Sequence, residues 1–180
     1  IVAAGHSAGG ELAAFMGATN EMEPFEGDGC NKKISSKADA VIDLDGTLAF
    51  IHPESGEGDD SKRISAATHW FGYSKTENPG LWKQAAPLTH VGKHSPPTQF
   101  ISSGVARMHA GREDFIKILK QHNIYSEVRE FVGSPHSFIL FNPWFDTTVV
   151  YMDKFLRRVF PAEQKKFART ITVAQDGSGD

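Results

Sequence analysis

With 180 residues, 39% of them hydrophobic, the chain can build one domain with a packed core. Nineteen Lys and Arg stand against 22 Asp and Glu, a net charge of −3 with the signs interspersed, so nothing asks for nucleic acid or an anionic membrane as a partner. No apolar run approaches membrane-spanning length, and the single cysteine, Cys30, cannot form an intrachain disulfide.

The chain opens on Ile1, in mid-strand rather than at a natural start, so the lack of a signal sequence carries no information. Residues 1–4 predict a buried strand and residues 9–18 a helix. Between them stands Gly5-His6-Ser7-Ala8-Gly9, a Gly-x-Ser-x-Gly run in the strand–turn–helix context of a nucleophile elbow. So tight a turn puts Ser7 in a strained backbone conformation, costing about 1–3 kcal/mol, and leaves room only for glycine two residues to either side. In return Ser7 Oγ stands clear of the sheet. The N–H of Ala8, at the helix N-terminus, can point at a developing oxyanion.

Residues 19–37 are polar and Gly/Asp-rich and predict a loop. Residues 38–46 predict a second strand ending in the acidic turn Asp43-Leu44-Asp45-Gly46. The stretch from Thr47 to Pro97 is irregular, with short helices at 65–70 and 79–86, and its aromatics (Trp70, Phe71, Tyr73, Trp82) favour a functional insert. Residues 96–104 predict a third strand, 111–123 an amphipathic helix with Phe115, Ile118 and Leu119 on one face, and 124–132 a fourth strand. Gly133-Ser134-Pro135-His136-Ser137 reads as a loop at that strand's end. A last helix is expected over 144–160, with Val149, Met152, Phe155, Leu156 and Val159 at helical spacing and Pro161 as its stop. A charged linker, 161–169, leads to a fresh strand beginning at Thr170. Strands alternating with helices predict an α/β fold, a parallel sheet with helices on both faces.

A serine nucleophile needs a base, and the base an acid to orient it. His136 has the right place for the base: late in the chain, in a loop after the last strand. For the acid, the turn after the third strand carries no carboxylate, and Arg107 falls about where one is expected. Asp45, closing the strand beside the nucleophile's, is the favoured candidate; Asp114, Glu113 and Asp43 are rivals. His6, His109, Arg112 and Trp70 are candidate substrate contacts, and His109 and Arg112 can equally pair with nearby acids. No His or Cys spacing fits a zinc site, so neither metal nor cofactor is expected.

These residues together resemble an α/β-hydrolase of the carbohydrate-esterase kind, similar to pectin and xylan acetylesterases of bacterial polysaccharide-degrading systems. The resemblance rests on Gly5–Gly10, Asp43–Glu54, Pro87–Val91, His109–Arg112 and Ser134–Phe138, and it covers roughly residues 1–160. It implies a Ser7–His136–Asp45 triad and removal of acetyl groups from pectin or xylan. It implies an acetylated polysaccharide as partner and a secreted or periplasmic bacterial protein. In such proteins strands, a helix and a His-Gly-Gly-like segment precede the elbow, so this chain corresponds to the C-terminal part of the fold. The tail 170–180 resembles the opening strand of a pectin methylesterase β-helix, which implies a second, covalently linked esterase domain. A feruloyl esterase or peptidase on the same scaffold, or a sugar-binding homologue without catalysis, are the alternatives.

Overall fold

Five-residue strands set the frame, the first two rich in Ala, Val and Ile and the last two more polar. β1 (Val2–His6), β2 (Ala40–Leu44), β3 (Thr98–Ser102) and β4 (Ser126–Glu130) form a parallel sheet in that order, with Gly5 opposite Asp43 and Asp43 opposite Phe100. The computed structural model describes residues 1–31 and 33–161. The strand expected at the tail, and the linker before it except Pro161, lie outside the described residues.

Parallel strands need crossovers, which among the described residues carry α1 (Ala8–Ala18), then α2 (Ala66–Phe71) and α3 (Pro79–Gln84), then α4 (Arg112–Gln121); α5 (Trp144–Val159) follows the last strand and covers one face of the sheet. Alternation along the strands divides the core in two. Val41 and Phe100 face α1 and α4, where they pack with Ala13, Ala14, Phe115 and Leu119. Ala40, Ile42, Leu44 and Ile101 face α5 and pack with Phe138 and Phe155. β2 and β3 are buried along their whole length because both faces are covered, as parallel sheets require.

Two expectations change here. β1 was expected to be buried, yet it is an edge strand in which only Ala3 is buried. Val2, which shares a sheet face with Ala40, is exposed because no described element covers it. Val149 likewise faces solvent, and Thr148 takes the buried place in that turn of α5. The rest of the expected stripe, Met152, Phe155, Leu156 and Val159, packs against the sheet as its spacing predicts.

The long insert has its own small core. Trp82 is fully buried among Phe50, Ala67 and Ala86, and its indole N–H donates to the Tyr73 carbonyl at 2.9 Å. Ser65 caps α2 by accepting the Thr68 N–H, and Asn78 caps α3 by accepting that of Leu81. The insert thus stands as a packed wall beside the carboxyl edge of the sheet.

Candidate active site

Ser7 sits between β1 and α1 with φ 58° and ψ −122°, a conformation a side chain rarely accepts. Its N–H donates to the Leu44 carbonyl at 2.9 Å, so β2 holds the turn in place. Gly5 is forced: a Cβ there would lie 2.1 Å from the Gly9 carbonyl oxygen. Gly9 itself is not, since a Cβ would meet nothing within 4 Å. The second glycine the elbow needs is Gly10, where a Cβ would come 2.5 Å from Asp43 Oδ1.

The turn after β2 is as constrained. Asp43 Oδ1 accepts the Gly46 N–H at 2.7 Å, and Asp45 between them adopts φ 55°. A Cβ on Gly46 would lie 2.4 Å from both Asp43 Oδ1 and the Glu11 nitrogen, so this turn packs against the first turn of α1 without a gap. The left-handed Asp45 throws its carboxylate upward, beyond the strand's end. There Oδ1 accepts the Ser103 N–H at 2.8 Å, and the side chain is fully buried.

The other oxygen holds a histidine. Asp45 Oδ2 lies 2.9 Å from His136 Nδ1, and His136 Nε2 lies 2.8 Å from Ser7 Oγ. With one carboxylate oxygen taken by the Ser103 amide, the other accepts Nδ1–H. That leaves Nε2 without a proton and able to accept the hydroxyl of Ser7. The loop carrying His136 is pinned from two sides. Gly104, past β3, donates its N–H to the Ser134 carbonyl at 3.1 Å. His6 Nε2 lies 2.7 Å from the His136 carbonyl, and the two imidazoles lie 4.7 Å apart.

Three side chains expected to meet substrate are turned elsewhere. His6 holds the His136 backbone. His109 Nε2 binds the Ser103 carbonyl at 2.8 Å, and Arg112 donates to Ser102 Oγ at 2.9 Å and to Glu130 at 3.3 Å. None of the three lines the pocket above Ser7. The rival acids are also accounted for: Asp43 is tied to Gly46, Asp114 lies 3.6 Å from His52, and Glu113 accepts from Arg112.

Above Ser7, Ala8 and His136 opens a pocket of about 380 Å³. The insert supplies one wall through Phe50, Ala67 and Trp70; Trp70 is 58% exposed and stacks on Phe71. Arg107 also lines the pocket, paired with Glu57 at 2.6 Å. Ala8 opens α1, so its N–H has no partner within the helix and can meet an anion at Ser7.

Two buried carboxyls lie beneath. Burial, then the charge of Asp43, pushes Glu11 up to about 7. Burial pushes Asp43 up to about 7 as well; the Gly46 N–H and Arg112 oppose this and Asp45 adds to it. Sequence reading missed Glu11 as a pocket residue, because an acid in the first turn of a helix ordinarily serves only the helix dipole. Among the described residues no group of three His, Cys, Asp or Glu side chains could hold a metal ion, and no helix is long and apolar enough to cross a membrane.

Residues 1–106 match the family model described as BD-FAE. A truncated carbohydrate esterase from gut microbiota superposes with a TM-score of 0.69 at 21% identity, over 84% of this chain and 58% of that one. The thermophilic esterase of Thermogutta terrifontis gives 0.62 at 25% identity, over 88% and 55%; it is also known phosphoramylated by tabun. An acetyl ester-xyloside bifunctional hydrolase from Caldicellulosiruptor lactoaceticus gives 0.64 at 18%, over 87% and 55%. No curated protein matches the chain. The fold is that of the α/β-hydrolases, and the chain spans little more than half the length of these solved structures.

Proposed function

Since the chain belongs to the BD-FAE family, we propose that it is a serine carboxylic-ester hydrolase that deacetylates plant cell-wall polysaccharide, pectin or xylan. The observation that carries the reading is the unbroken hydrogen-bonded line Ser7–His136–Asp45 at the floor of an open pocket. Carbohydrate esterases and an acetyl ester-xyloside hydrolase among the similar structures support the substrate class.

In this mechanism Ser7 Oγ attacks the acetyl carbon while His136 Nε2 takes its proton. Asp45 holds the imidazolium that results. The Ala8 N–H meets the oxyanion of the tetrahedral intermediate. His136 then protonates the departing sugar oxygen, leaving acetyl-Ser7. Water, deprotonated by His136, attacks the acyl-enzyme and releases acetate and free Ser7. The exposed face of Trp70 gives the sugar ring an apolar platform at the pocket mouth. A polymeric substrate of this kind places the protein outside the bacterial cytoplasm, and a linked pectin methylesterase-like domain after residue 170 would act on the same polymer.

The test is acetate release from acetylated xylan and acetylated pectin, together with labelling by a fluorophosphonate. The intact protein is expected to release acetate from at least one polymer and to be labelled on Ser7, and Ser7→Ala to do neither. Undiminished turnover by Ser7→Ala overturns the reading.

A further inference from the structure

The triad does not use Glu11, yet Glu11 forms part of the wall of the same pocket. It lies in the first turn of α1, one turn beyond Ser7, and is only 3% exposed. Among the described residues its Oε2 has no hydrogen-bond partner. A buried carboxyl oxygen left without a partner is costly, and side chains in such places generally meet theirs in protein, water or ligand. The turn Asp43–Gly46 packs closely against the backbone of the first turn of α1. Glu11 shares the pocket wall with Thr47 and Phe50.

We propose that Glu11 is a specificity residue whose carboxyl takes up a hydroxyl group next to the scissile ester, so that the site selects esters of polyols over esters of simple alcohols. The inference rests on the esterase reading above. A hydroxyl can both give and accept a hydrogen bond, which suits a carboxyl standing near the middle of its titration at neutral pH. A substrate lacking that hydroxyl leaves the buried oxygen unpaired, so discrimination arises from the loss as well as from the contact.

The experiment crosses substrate and protein changes. Substrates are a methyl xyloside monoacetate, its analogue deoxygenated at the neighbouring carbon, and 4-nitrophenyl acetate. Proteins are the intact wild type, Glu11→Gln and Glu11→Ala, each checked by thermal melting. The wild type is expected to lose about tenfold or more in kcat/KM on the deoxy analogue. That penalty is expected to shrink to within about twofold in Glu11→Ala and to persist at least in part in Glu11→Gln, which keeps an acceptor oxygen.

Equal rates of the wild type on the parent and deoxy sugars overturn the proposal, a result that stands whether or not the variants fold. A penalty undiminished in Glu11→Ala also overturns it, assigning the hydroxyl to another group. Good turnover of 4-nitrophenyl acetate with neither sugar ester cleaved overturns the specificity role and leaves the serine esterase standing. Failure on all three esters overturns both.

Discussion

The backbone N–H of Ser103 reaches Asp45 Oδ1 at 2.8 Å and so turns the carboxylate's second oxygen to His136. Asp45→Asn is expected to keep this seat, because the Asn carbonyl can still accept the Ser103 N–H. Its amide nitrogen then faces His136 Nδ1 and donates to it, driving the ring proton to Nε2, where it cannot accept the Ser7 hydroxyl. The expected outcome is a fall in kcat of roughly 10³–10⁴ with KM little changed, measured on an aryl acetate. A loss under tenfold places the orienting acid elsewhere.

How much of this was legible in the residues depends on the range of the interaction. The elbow is local: one strand, one turn and one helix in the seventeen residues Val2–Ala18, so Gly-x-Ser-x-Gly and its flanks carry it. His136 was legible through chain order, and Asp45 through its place at a strand's end beside the nucleophile's. Of the roles of His6, His109 and Arg112, only the pairing of Arg112 with its neighbour Glu113 was legible. The carbonyls and hydroxyl that the three also serve are brought close only by the assembled sheet edge. Glu11 was hidden for the opposite reason. An acid in the first turn of a helix is ordinary locally, and only the assembled fold shows Glu11 buried in the pocket wall.

The glycines give a paired prediction of stability. Gly46→Ala sets a Cβ 2.4 Å from the Glu11 backbone nitrogen and from Asp43 Oδ1, which must force the turn away from α1. About 2–4 kcal/mol of destabilisation is expected, at the upper end of overpacking costs. Gly9→Ala meets nothing within 4 Å in a helical position and is expected to change stability by less than about 1 kcal/mol, in the stabilising direction. Urea unfolding of the two variants checks both. A Gly9→Ala variant as unstable as Gly46→Ala would show that the elbow packs differently.

Glu11 and Asp43 set a pH dependence whose sign follows from linkage. Both have folded values near 7, above their ordinary carboxylate values of 4.5 and 3.8. Between those limits the folded state holds more protons than the unfolded one, so stability falls as pH rises through about 7 and then levels off. Stability in urea is therefore expected to be lower at pH 8 than at pH 5. Glu11→Gln removes one of the two ionisations and is expected to recover up to about 3 kcal/mol of that difference. Parallel pH profiles for wild type and Glu11→Gln would show that the carboxyl titrates as an ordinary exposed acid.

Trp70 presents a different balance, because its ring is mostly bare. It is 58% exposed and stacks on Phe71 at 5.2 Å with planes 23° apart, while the insert's core rests on Trp82. Removing it costs the fold little apolar burial. A sugar ring, by contrast, loses its apolar platform, an interaction of about 0.5–1.5 kcal/mol. Trp70→Ala is therefore expected to lower kcat/KM on acetylated xylo-oligosaccharides about three- to tenfold, mainly through KM, with turnover of 4-nitrophenyl acetate reduced less. An equal loss on both esters would mean that Trp70 shapes the acyl pocket or holds the insert in place. An unchanged KM on the oligosaccharide would move the sugar away from Trp70 to another part of the pocket wall, such as the paired Arg107 and Glu57.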